Sequence, residues 1–159
     1  MLYAVLKSIH LLALIVWIGG MFFAHFCLRP ALGVIDPPLR LRLMSEVLRR
    51  FFGVVTVVVA LVFLSGLWML MSAASSGAAA GVGFNMPLDW YVMGVGGVVM
   101  MAIFGHIRFV LFTRLQRAVR AQDGPAGAAA MGRIRTWVLV NLVLGVLIVI
   151  VMRLGSAAL

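Results

Sequence analysis

Three histidines, His10, His25 and His106, stand inside long apolar stretches of a chain with few other polar groups at the same depth. An ionisable side chain in such surroundings costs several kcal/mol, so by default it marks a place that binds or moves something. A neutral imidazole can ligate haem iron, hold a soft metal ion together with thioethers or carry a proton. At about 100° per residue, Lys7, His10, Trp17, Met21 and His25 fall within about 80° of arc on one helical face. That face must turn toward other helices rather than lipid. Gly19 and Gly20 lie off the stripe and suit close approach by a neighbouring helix.

Depth sorts the histidines into two groups. His106 falls ~24 Å below the outer interface marked by Trp90, and His25 lies far below His10, so His25 and His106 both come near the inner boundary. The His106 face also carries Val95, Val99, Ala102 and Phe109. Such a smooth face suits a flat macrocycle between helices, with His25 and His106 as axial ligands of one b-type haem. Arg29, Arg108 and Arg114 could then receive its propionates. The same face is also what ordinary helix packing looks like, and both histidines could equally serve as interfacial residues beside snorkelling arginines. His10 is separate. It lies in the outer half, one turn from Lys7, and its companions in height are Met69, Met71, Met93 and Tyr91, a soft set that suits Cu(I).

The elements that must position these residues are membrane helices. Of 159 residues, 65% are hydrophobic and 11% charged, where a soluble domain has roughly 25% charged. Four apolar runs, about 2–28, 51–73, 90–113 and 136–154, each suffice for a hydrocarbon core ~30 Å thick, which predicts a single all-α transmembrane domain, a four-helix bundle. The first run is too long for a secretory signal and reads as a retained helix. Arginines 29, 40, 42, 49 and 50 follow helix one, and 114, 117, 120, 133 and 135 follow helix three, while the 74–89 connection has none. The positive-inside rule then puts both termini on the periplasmic side of a bacterial inner membrane, with Trp90 and Tyr91 at the outer interface. This topology and anionic lipid account for the net charge of +9, and nucleic acid is not an expected partner. Asp36-Pro37-Pro38 breaks the helix, leaving Leu39–Arg50 as a short amphipathic segment along the inner surface. The stretch 122–132, rich in Gly and Ala, reads as flexible, and 72–83 as a small-residue outer loop.

Soluble-enzyme chemistry finds no foothold. The four acids, Asp36, Glu46, Asp89 and Asp123, stand in loops or at helix ends, so no span holds a paired carboxylate. The one cysteine, Cys27, cannot form a disulfide within the chain. Redox or transport chemistry must therefore use histidine, lysine, tyrosine, a metal or a cofactor.

The stretch His10-Leu-Leu-Ala-Leu-Ile-Val-Trp17-Ile-Gly-Gly20-Met-Phe-Phe resembles the first helix of two related bacterial groups, the copper-resistance protein D (CopD) family and the HemJ family of protoporphyrinogen oxidases. Glu46-Val-Leu-Arg49-Arg50-Phe51-Phe52 with Ser65-Gly66-Leu67-Trp68-Met69-Leu70 is similar to their second helix, and Trp90 to Arg117 looks like their third. The resemblance covers roughly residues 3–120 and implies the four-helix membrane fold. The CopD branch implies copper handling across or at the periplasmic face. The HemJ branch implies b-type haem and porphyrinogen oxidation, relying on the first-helix histidine, matched by His10, and on a third-helix lysine. Helix three has no lysine from Trp90 to Ile107, and Gly94 and Val95 stand near its place.

The leading expectation is haem b held by histidines for membrane redox chemistry, with His10, His25, His106, Arg29 and Arg108 as the binding residues of a haem-dependent oxidoreductase. The alternative is a copper-binding or copper-import protein using His10, Met69 and Met93. A third reading is a non-catalytic subunit of a membrane complex. The expected partners are membrane lipids, a second copy of the chain or a membrane redox protein.

Overall fold

The computed structural model describes residues 1–79 and 88–155. Four long apolar helices make the chain a multi-pass membrane protein of all-α class. Helix α1 spans Leu2–Val34, α2 Pro37–Ala79, α3 Leu88–Arg120 and α4 Gly124–Gly155. Short connections make consecutive helices antiparallel neighbours, as bundle topology requires. Helix α1 packs chiefly on α2, and α3 chiefly on α4. Both joints, Ile35-Asp36 and Ala121-Asp123, lie at the arginine-rich end, called the basic end below; the opposite end carries the N-terminus.

The helices run further than the hydropathy pattern alone predicts. Leu39–Arg50 is not a separate surface segment but the first turns of α2, which is 43 residues long. Pro37 and Pro38 open that helix, where proline costs no hydrogen bond, and no glycine or proline interrupts it before Gly53. Helix α2 is thus about 65 Å long and projects well past a ~30 Å hydrocarbon core at the basic end. At the other end it continues through 72–79, so most of the expected small-residue loop is helical; 80–83 lie outside the described residues.

The stretch 122–132 is also helical from Gly124 onward. Helix α3 closes with Gln122 in the left-handed region, φ 54°, and the Asp123 amide donates to the Ala118 carbonyl at 3.0 Å. The Asp123 carboxylate then accepts from the Ala126 amide at 2.9 Å and caps α4. One of its small residues serves contact: a Cβ at Gly127 would overlap the Leu41 side chain of α2. Gly124 and Gly132, by contrast, have open space.

The core is concentrated toward the basic end. Trp17 of α1, Phe52 of α2, and Phe104 and Phe112 of α3 meet edge-on, with centroids 6.1 Å apart for Trp17–Phe104, 6.0 Å for Phe52–Phe104 and 5.2 Å for Phe52–Phe112. Gly20 gives way to Phe51, as a close-approach glycine should, while Gly19 has open space. Beyond Arg108 the amphipathic turns of α3 bury Phe112, Leu115 and Ala118 and expose Arg114, Arg117 and Arg120. Large apolar side chains such as Leu12, Ile15, Val57, Leu64, Val98 and Leu147 face outward, as lipid contact requires.

Candidate metal-binding site

The face of α1 singled out by its residue types is its buried face. His10, Ala13, Trp17 and Met21 are buried, while Lys7 is exposed and His25 half-buried. His10 is 7% exposed and its Nδ1 lies 2.8 Å from Ser65 Oγ on α2. The Ser65 hydroxyl has one proton, and it donates that proton to the Leu61 carbonyl at 2.5 Å, the back-bonding habit of serine in membrane helices. With that proton donated to Leu61, the Ser65 oxygen can accept from a His10 Nδ1–H. In the neutral tautomer with its proton on Nδ1, the lone pair is on Nε2, the atom that can bind a metal or a proton. Gly66 makes the space: a Cβ there would already stand 3.4 Å from His10 Cε1, so a larger side chain would displace the imidazole.

Met69 is buried and lies one turn beyond Ser65 on the same face of α2, a rise of about 6 Å. Met93 is half-buried on α3, which at that level packs on α4, where a Cβ at Gly96 would overlap Ile148. Met93 thus belongs to the other helix pair. Lys7, Met71 and Tyr91 are exposed.

The basic-end histidines face different surroundings. His25 sits on a π-helical stretch, Phe23–Leu28, edge-on to Phe26 at 4.8 Å, and lines a recess with Arg29 and Arg135. His106 is exposed, 5.6 Å from the Trp137 ring of α4. Val95, Val99, Ala102 and Phe109, which share its face, are exposed as well, so the smooth surface points to lipid rather than to α1. The inward face of α3 is instead Met100, Phe104, Ile107 and Leu111. A macrocycle between His25 and His106 finds no support in this arrangement. Arg29 is half-buried beside His25; Arg108 lies over the Phe109 and Phe112 rings at 5.8 and 5.5 Å; Arg114 is exposed.

Among the described residues no three or more of His, Cys, Asp and Glu gather into a metal-binding group. A metal held by these residues must therefore draw on softer or neutral donors beside a single histidine. Ser65 and Gly66 are the two residues of the site that sequence reasoning placed only within a family-like stretch. A hydroxyl four residues before a methionine inside an apolar span was the available signal.

The family model for copper resistance protein D matches residues 45–154. The chain belongs to the copper resistance protein D family. The match runs from the first half of α2 to the end of α4 and includes Ser65, Met69, Met93 and His106; α1, with His10, His25 and Arg29, precedes it. No curated protein and no solved structure matches the chain. The copper resistance family fits the copper alternative better than haem, for which neither the match nor the arrangement of His25 and His106 speaks.

Proposed function

We propose that this copper resistance family protein binds Cu(I) as cargo in the periplasmic half of the cytoplasmic membrane, with His10 Nε2 as the leading donor and the Met69 thioether as its companion. The observation that supports the reading is the buried His10–Ser65 hydrogen bond, which suits the tautomer with its lone pair on Nε2. Imidazole and thioether are soft enough for Cu(I) and poor for hard cations such as Mg²⁺. Ser65 acts as a positioning residue: it holds the ring through Nδ1 and touches no metal. A site with few protein donors also suits cargo that must leave again, since a closed cage would retain it.

The test is competition between detergent-purified protein and a chromogenic Cu(I) chelator under reducing conditions, with an absorption spectrum of the same sample. Wild type should compete, His10→Ala should weaken competition at least about tenfold, a loss of roughly 1.4 kcal/mol, and Met69→Leu should weaken it less. Unchanged competition by His10→Ala would overturn the assignment. A Soret band with one haem per chain would return the reading to haem.

A further inference from the structure

At the basic end, α1, α2 and α4 flank an open cavity of about 300 Å³ lined by Arg29, Leu32, Arg40, Met44 and Met131 among others. A narrower recess adjoins it, sharing Arg29, Met44 and Met131 and adding His25 and Arg135. Three arginines and a histidine thus stand along two adjoining recesses that share Arg29, and among the described residues no carboxylate lines either. The acids are engaged or turned away: Glu46 pairs with Arg49 and Arg50, Asp123 caps α4, and Asp36 is exposed. Among the described residues neither Arg29 nor Arg135 makes a hydrogen bond or an ion pair, although His25 and both arginines lie close enough to feel one another's charge.

Arg40 is built into the cavity wall. Its Nη2 donates to the Gly33 and Ile35 carbonyls at 3.2 and 2.8 Å, which locks the guanidinium into the wall. Its Nε–H is buried without an acceptor. A buried charged donor left unpaired is costly, and uncompensated like charges around one space add to that cost. An anion in the cleft would offset the uncompensated charge. Guanidinium groups match the geometry of phosphate oxygens better than any other side chain. The volume is that of a small ligand site, and Leu32, Met44 and Met131 give it an apolar side. The π-helical stretch that carries His25 is a form found disproportionately at functional sites.

We propose that this cleft binds a phosphate group carried by an anionic phospholipid of the facing leaflet, with Arg29, Arg40 and Arg135 as its cationic contacts. Basic pockets between membrane helices at the positive side recognise headgroups by this chemistry. The site is independent of the copper reading, sharing no residue with His10 and Met69.

The experiment reconstitutes the full chain in nanodiscs of equal phosphatidylglycerol and phosphatidylcholine, extracts it in neutral detergent and counts retained lipid by native mass spectrometry. Wild type should retain phosphatidylglycerol in preference to phosphatidylcholine. Arg29→Gln and Arg135→Gln should each lower that retention about fivefold, and Arg135→Lys should restore part of it. Arg133→Gln and Arg120→Gln remove exposed arginines outside the cleft and should leave retention unchanged. Equal loss in Arg133→Gln and Arg135→Gln would reduce the effect to general surface charge and overturn the site, as would equal retention of both lipids. Displacement of phosphatidylglycerol by inorganic phosphate at similar concentration would overturn the lipid source in favour of a soluble phosphate. Arg135 is exposed on a helix surface, so its variants should stay monodisperse, which separates lost binding from lost fold.

Discussion

The two halves of the bundle are built differently. Toward the basic end every helix contributes buried residues, and an aromatic cluster joins α1, α2 and α3. Toward the other end the buried positions among the described residues fall on α1 and α2: His10, Val62, Ser65 and Met69 are buried, whereas α3 buries nothing from Leu88 to Val99 and α4 nothing described after Gly145. The tightest packing therefore lies in one half, and the buried His10–Ser65 pair stands in the half with least packing to lose. Around the aromatic cluster itself the interlocking rings leave no room for a ligand, while the two-helix contact padded by Gly66 does.

The sharpest way to break this contrast is to truncate one ring. Phe52→Ala should destabilise the bundle by about 3 kcal/mol, lowering the detergent melting temperature, while leaving Cu(I) competition per folded molecule unchanged. If Val62→Ala, buried in the opposite half, cost as much, the difference between the halves would disappear. The next effect acts on the site without the core. Ser65→Ala leaves the His10 Nδ1–H without its acceptor, and should weaken Cu(I) competition several-fold at a stability cost of about 1 kcal/mol. Nitrogen-15 spectra of the imidazole would sharpen the result, since the wild-type ring should carry its proton on Nδ1 and the variant should lose that preference.

The smallest expected change tests the interior between the halves. Asn141 is 1% exposed; its amide nitrogen lies 3.8 Å from the Met21 sulfur, and its carbonyl oxygen is buried without a partner. Asn141→Leu should stabilise the protein by about 1 kcal/mol, because it removes an unsatisfied acceptor at similar volume. Destabilisation instead would mean that the oxygen has a partner within the bundle.

How far the sequence could be read depends on the kind of signal. Four spans were legible because apolar length is a direct requirement of the bilayer. The buried stripe His10, Trp17, Met21 was legible because polar and large residues at helical spacing have one place to go. Helix extent was less so: Leu39–Arg50 is amphipathic whether it lies on a surface or continues a span, and only packing decides. The glycines and alanines of 124–132 carry the composition of a loop, yet Gly127 is small because Leu41 stands against it. The pairing of His25 with His106 rested on equal depth, and depth is blind to azimuth. His106 lies two residues past the buried Phe104, enough to turn it toward lipid. The Ser65 partner of His10 was hidden because it joins residues fifty-five positions apart.

Since α2 is unbroken from Pro37 to Ala79, Arg49 and Arg50 are rigidly joined to Ser65, about 22 Å further along the same rod. Sliding α2 by one turn toward the weakly packed side would draw two guanidinium groups into hydrocarbon, at several kcal/mol. The depth at which His10 meets Ser65 is thus set by charges anchored at the opposite surface. Neutralising Arg49 and Arg50 would free the site to drift along the membrane normal without altering any residue that touches it.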